Sequence, residues 1–294
     1  MTTAEDDFRA GAPIGFVVLS HSEPALLRRL LRALDRAYRN PPIVVHHDFS
    51  QCALPDDVGR WSADLQFVRP HVETQWAHIS IVEGFLAALK NLYAARAPDW
   101  FVLLSASDYP VRAGSTVVRE LACGAADLYM DFQFLDGAPA GPEPPPAGAN
   151  YLGVDKETWR QIANERYINP DMVRPFSGRL RCCGGDFWLT GNARVARRLI
   201  DAPGRYPALF KYYSTAFCPD ESLCHTILGN DLDLHISKDN KRFTVWPDQG
   251  AHPRTLDLAD LQAILASGCH FARKVSPAVS AALLDALEPI AVWE

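Results

Sequence analysis

From residue 15 onward the chain alternates between short unbroken apolar runs and helical periodicity. GFVVLS at 15–20 is a continuous apolar run. Leu26, Leu27, Leu30, Leu31 and Leu34 then recur on one face of a helix whose other face carries arginines, with Ser22 read as its N-cap. Further runs follow at 42–48 (PIVVHHD), 65–68 (LQFV), 100–105 (WFVLLS) and 127–132 (DLYMDF), with helices near 78–95 and 114–122 between them. Such alternation predicts a mostly parallel sheet with helices on both faces, in which ligands sit at the carboxyl ends of the strands. The second half reads as a helix near 157–166, a strand at 185–190 (GDFWLT) and helices near 192–201 and 219–228. Strands at 234–237 (LHIS) and 242–246 (RFTVW) and two closing helices follow. Between the halves, GAPAGPEPPPAGA at 137–149 is too rich in proline for helix or central strand and is expected as an exposed, stiff loop. The expected organisation is a flexible 1–13, a nucleotide-binding α/β half over 14–136, a Pro-rich loop over 137–150, and an acceptor and catalytic half of the same domain over 151–294.

A length of 294 residues suits one large α/β unit, and 48% hydrophobic with 22% charged residues excludes disordered and fibrous classes. Lys and Arg number 29 against 35 Asp and Glu, a net −6. No global positive field therefore draws the protein to nucleic acid or an anionic bilayer, and any anion must be held by local cations. The acidic start, MTTAEDDFRAGAP, has no signal-peptide pattern, and no run of about 18 apolar residues occurs. These features predict a cytoplasmic protein without an integral membrane segment. Seven cysteines, an odd number in that setting, predict free thiols.

Candidate chemistry collects where predicted strands meet polar residues: SHSEP (20–24), HHD (46–48), SASDYP (105–110) and GGDFW (184–188). Each alone is an ordinary turn or cap, but four at strand ends mark one cleft. Cys218-Pro219-Asp220-Glu221 opens a helix with proline first and two acids in the first turn, which is either good capping or a carboxylate poised as general base. His252-Pro253-Arg254 and Phe271-Ala272-Arg273-Lys274 flank a helix with cations able to hold a diphosphate. The single D-x-D match, Asp231-Leu232-Asp233, follows turn residues and reads as a turn entering a strand. Walker, G-x-G-x-x-G, His-x-x-His and G-x-S-x-G patterns are absent from the sequence.

In this order the segments resemble the Core-2/I-branching β-1,6-N-acetylglucosaminyltransferase family, which includes peptide xylosyltransferases. The likeness runs over roughly 14–276. It is carried by FVVLSHSEPALLRRLLRAL, VVHHD, ETQWAHISIVEGFLAAL, WFVLLSASDYPV, GGDFWLT, CPDESLCHTI, KRFTVW, HPRTL and FARKV. The resemblance implies a GT-A-like α/β glycosyltransferase fold and inverting, metal-independent transfer of N-acetylglucosamine or xylose from a UDP-sugar to a glycan or small-molecule acceptor. No cofactor is implied. It further implies Glu221 as catalytic base, Arg254 and Lys274 as diphosphate clamp, Asp48 as a nucleoside contact, Trp246 beside the sugar, and Asp108 in sugar or acceptor binding. Cys218 and Gly185 stand where the family prefers serine, and His47 departs from I-H-V-D. The rival readings are a non-catalytic nucleotide-sugar or glycan-binding module of the same fold, and a phosphate-ester hydrolase, for which the sequence offers neither nucleophile nor metal cluster.

Overall fold

The computed structural model describes residues 12–135, 175–177, 179–247 and 252–293. The Pro-rich loop, the helix expected near 157–166 and all but the last two residues of the N-terminal segment lie outside them.

Four strands, β1 (Ile14–Ser20), β2 (Ile43–His47), β3 (Leu65–Phe67) and β4 (Trp100–Ser105), run parallel in the order β3-β2-β1-β4. Short β5 (Asp108–Pro110) leaves this sheet, which continues with β6 (Leu128–Met130); β7 (Gln133–Phe134) and β8 (Cys183–Gly184) pair separately. The seven-stranded sheet is completed by β9 (Leu189–Asn192), between β4 and β6, and β10 (Ile236–Ser237) at its edge. Only β9 runs against the others. A three-stranded sheet joins β5 to β11 (Arg242–Phe243) and β12 (Phe271–Arg273).

Successive strand residues point to opposite faces, so the apolar runs feed two cores. Val17, Val44, Phe101 and Leu103 pack with α2 (Ser80–Ala95). Phe16, Val18, Val45, Val102 and Leu104 pack with α1 (Pro24–Tyr38) and α3 (Gly114–Cys123). The first core also takes α4 (Ala193–Arg205), α5 (Pro207–Tyr213) and α6 (Leu223–Gly229). A third core, with Tyr109, Leu256 and Ala272, joins the small sheet to α7 (Leu261–Ala266) and α8 (Ala281–Leu287). The expected α/β sheet with helices on both faces is thus the observed architecture, and all seven cysteines are free. No helix among the described residues is long and apolar enough to cross a membrane.

Several element boundaries differ from the pattern reading. The N-cap of α1 is Glu23, at φ 52°, rather than Ser22, because Pro24 takes the first helical position. The helix expected over 219–228 is a 3-10 turn, Pro219–Glu221, followed by α6. RFTVW pairs only through Arg242 and Phe243. The strand expected at 185–190 starts at Leu189; residues 185–188 form a connection whose backbone passes so close to residue 131 that a Cβ on Gly185 would stand 2.1 Å from the Asp131 carbonyl oxygen.

Candidate active site

The parallel strands β1, β2 and β4 end at one edge of the sheet, and reversed β9 begins there. The polar segments after the first three and before the fourth therefore converge, as ligand-binding residues do at the carboxyl edge of such sheets. They enclose a cleft of about 520 Å³, within the usual size for one small-molecule site. Ser20 ends β1 and His21 to Glu23 follow it, Ser105 ends β4 and Ala106 and Ser107 follow it, and Asp186 to Trp188 precede β9. Asp220 and Glu221 enter from the 3-10 turn, and Arg273 and Lys274 from β12.

The acidic wall is Asp186, Asp220 and Glu221. Oε2 of Glu221 and Oδ1 of Asp220 are buried without a hydrogen-bond partner. Burial, with Asp220 and Asp186 as like charges, pushes the Glu221 carboxyl well above its ordinary range, and Arg273 only partly offsets this. Asp220 is pushed up to about 6, mainly by burial and then by Asp186. Asp186 is raised by burial, and its Oδ2 accepts a 3.1 Å hydrogen bond from Asn240. The backbone ties these pieces together, since Gly185 N–H donates to the Glu221 carbonyl at 3.0 Å. Cys218, at φ 46°, donates its N–H to the Ala77 carbonyl and is buried, which pushes its thiol up and leaves it a small apolar group.

The basic wall comes from β12, whose register sets Arg273 opposite Asp108. The Arg273 guanidinium lies over the Trp188 ring at 4.0 Å, and its Nε is 3.6 Å from Oδ1 of Asp108. Arg242 brings a second buried guanidinium to the same oxygen, at 3.8 Å, and donates to the Leu103 carbonyl at 2.9 Å. Lys274 lines the cleft, and burial followed by repulsion from Arg273 lowers its pKa.

Of the six site residues expected from sequence, the structure brings Glu221, Lys274 and Trp246 together in the cleft. Asp48 lies behind its wall, fully buried: Oδ1 accepts from Ser50 N–H and hydroxyl, and Oδ2 from Gln51 and from Thr74 N–H and hydroxyl, at 2.6 to 3.0 Å. Burial opposes ionisation, but these bonds outweigh it and hold the carboxyl well below its usual range. Gln51 and Thr74, rather than Asp48, face the cleft. Asp108 is also one layer back, accepting from Ser105 N–H at 2.7 Å and hydroxyl at 2.6 Å. Arg254 is outside the cleft lining, its guanidinium 2.6 Å from Asp260 and 3.1 Å from the Thr255 carbonyl. Arg254 and Lys274 are thus not brought together in the cleft, where the cation beside Lys274 is Arg273. Arg273, Asp186 and Asp220 were not singled out as site residues by sequence reasoning, although each lies within a motif it marked.

Asp231 and Asp233 form the expected turn. They precede β10 at the opposite edge of the sheet and face Arg198 of α4 at 2.7 and 3.8 Å. Among the described residues no group of three or more His, Cys, Asp or Glu is arranged to hold a metal ion.

Residues 14–265 match the model of the Core-2/I-Branching enzyme family. Among curated proteins, the chain is 25% identical over 244 residues to xylosyltransferase 1 of Rattus norvegicus, covering 79% of this chain and 28% of that protein. It is 24% identical to xylosyltransferase 2 of Homo sapiens, covering 80% and 27% respectively. The chain thus spans about a quarter of the length of these relatives. Among solved structures, mouse xyloside xylosyltransferase 1 superposes with a TM-score of 0.39 at 12% identity, covering 88% of this chain and 97% of that one. The match over residues 14–265, most of its length, makes the chain a member of the Core-2/I-branching enzyme family.

Proposed function

We propose that the protein is a glycosyltransferase that moves N-acetylglucosamine or xylose from a UDP-sugar to an acceptor hydroxyl, with inversion and without a metal. The observation that carries this reading is the pairing within one cleft of Glu221, which has a buried unpartnered carboxylate oxygen, with Arg273 and Lys274. Glu221, ionised for the reaction, takes the acceptor hydroxyl proton as the acceptor oxygen forms its bond to the anomeric carbon. On the opposite face the bond from that carbon to the diphosphate oxygen breaks, and Arg273 and Lys274 stabilise the negative charge left on UDP. A single displacement needs no second carboxylate as nucleophile. Asp48 acts by fixing the loop that carries Gln51 and Thr74, and Asp108 by fixing Ser105 and balancing the two guanidinium groups. The xylosyltransferase relatives favour xylose as the transferred sugar. A binding module that had lost turnover would have no use for Glu221: a buried, unsatisfied carboxylate costs stability and persists where chemistry requires it.

The test incubates the protein with UDP-xylose or UDP-N-acetylglucosamine and a panel of glycosides, reading UDP release and product mass. Parallel samples are treated with EDTA, with and without Mn²⁺ added back. Transfer that survives EDTA and inverts the anomeric configuration is expected. Donor binding without transfer to any acceptor would favour the binding module, and activity abolished by EDTA and restored by Mn²⁺ would overturn the metal-free mechanism.

A further inference from the structure

The cationic side of the cleft carries one basic group that the reaction described above leaves without a part. His252 lines the cleft together with Arg273 and Lys274. It is brought there by a segment clasped on both sides: Arg254 N–H donates to the Val245 carbonyl at 2.7 Å, and Leu256 N–H to the Lys274 carbonyl at 2.8 Å. Pro253 is buried, whereas His252 before it is exposed, its ring at 77° to that of Trp76 with 6.3 Å between centroids. The residue is thus fixed at its root and open at its tip.

Its ring nitrogens are also unspent. Among the described residues, each of the four buried histidines has a protein partner. His46 accepts from Val72 N–H, and His47, His225 and His270 contact the Cys52 carbonyl, the Asp186 carbonyl and the Glu120 carboxylate. Neither nitrogen of His252 has a hydrogen-bond partner among the described residues. Two available nitrogens beside an ammonium and a guanidinium suit a polyanionic ligand.

The surrounding charges decide how this ring responds to one. Arg273 and Lys274 stand on its side of the cleft, and Asp186, Asp220, Glu221 and His21 are the other titratable groups nearby that line it. Burial, and after it Lys274 and Arg273, lower the pKa of His252, so the ring is neutral near pH 7 while those cations are uncompensated. A diphosphate reverses that field. Its negative charges offset the two cations and favour an imidazolium, which donates a charge-assisted hydrogen bond to phosphate oxygen.

We propose that His252 is a third phosphate-binding group of the cleft, one that takes up a proton from solvent as the diphosphate of the donor binds and returns it when UDP leaves. While charged, it donates to the diphosphate, onto which the electron pair of the breaking anomeric bond moves. This rests on the glycosyltransferase reading above and adds to it a proton linked to donor binding.

The test is calorimetry of UDP-xylose and UDP-N-acetylglucosamine binding to the full chain, without acceptor, in Tris and in a buffer of low ionisation enthalpy at the same pH. Nucleotide sugars serve because their diphosphate lacks the phosphate ionisation at about pH 6 that free UDP would add. The dependence of the binding heat on the buffer gives the number of protons taken up. Wild type should take up a fraction of a proton near pH 7 and bind roughly five- to tenfold more tightly at about pH 6 than at about pH 8, the scale of a one-unit rise on binding. His252→Gln, which keeps a donor but cannot be charged, should remove the uptake and flatten the pH dependence. Lys274 and Glu221 can also titrate against the ligand, and uptake that persists in His252→Gln would assign the proton to them and overturn the proposal. Donor binding by wild type without proton uptake would overturn it directly. Absence of binding by either nucleotide sugar and by UDP at every pH would instead overturn the nucleotide-sugar reading, and this proposal with it.

Discussion

Asp48 and Glu221 are both carboxylates withdrawn from water around one cleft, and their surroundings are opposite. Asp48 accepts hydrogen bonds from Ser50, Gln51 and Thr74, which hold its pKa down despite burial. Glu221 has an oxygen with no donor and two acidic neighbours, and its pKa is driven up. A satisfied buried carboxylate is a structural clasp, whereas an unsatisfied one has proton affinity to spare. The wall around Asp48 is therefore held by its own hydrogen bonds, and the wall around Glu221 is the one we propose exchanges a proton.

The sharpest way to break this contrast is Glu221→Gln. With the general base removed, turnover should fall by about 10²- to 10⁴-fold, while UDP affinity and the circular dichroism spectrum stay unchanged. Wild-type turnover in a folded variant would remove Glu221 from the chemistry.

The next largest effect separates the cations. Lys274→Ala should weaken UDP binding by about 10- to 100-fold while barely affecting uridine, because a charge-assisted phosphate contact is lost. Arg254→Ala, at a residue already engaged by Asp260 outside the cleft, should leave both affinities as they are. Calorimetry with the two ligands decides; a larger loss for Arg254→Ala than for Lys274→Ala would restore Arg254 to the clamp.

Asp48→Asn keeps the shape but leaves donors from Gln51 or Thr74 without an acceptor. It should cost on the order of 1.5 to 3 kcal/mol of stability by denaturant titration, with kcat per folded molecule little changed. A stable variant with lost UDP binding would make Asp48 a direct ligand contact.

The smallest effects lie in pH. Turnover should fall as pH drops through the raised Glu221 value, placing the acid limb of the kcat profile above the usual carboxylate range. Stability carries both signs. Glu221 has its folded pKa above the unfolded one, so its ionisation weakens the fold as pH climbs from the ordinary glutamate value through the raised one. Asp48 stabilises above the ordinary aspartate value, and that contribution is lost as pH falls toward its depressed one. The melting temperature of Glu221→Gln should consequently gain on wild type from acidic to neutral pH, and a constant difference would contradict the burial of that charge.

Much of this architecture was legible because it rests on local pattern. The runs behind β1, β2 and β4 and the leucine stripe of α1 are buried as the periodicity predicts. The site was legible where a motif and its contacts coincide, as at Cys218-Pro219-Asp220-Glu221. Three of the five hydrogen bonds to Asp48 are local, from Ser50 and Gln51, and Ser50 two residues on is the signature of an Asx turn. The other two come from Thr74, and the pairing of Asp108 with Arg273 spans two strands far apart in sequence. Neither leaves a trace in spacing. The contact of Arg254 with Asp260 left no trace either, because it is made through the turn at 258–260, where Asp257 and Asp260 cap each other.

The parallel run of the strands also leaves the sheet an edge away from the cleft. The parallel strands start at the edge opposite the cleft, and there the turn at 231–233 presents Leu232 at 97% exposure, with Asp231 anchored to Arg198. Exposed, polar-flanked loop tips of this kind tolerate inserted sequence. An affinity tag or fluorophore placed at Leu232 would report on or immobilise the protein with the cleft facing freely outward, a handle supplied by the direction in which β10 enters the sheet.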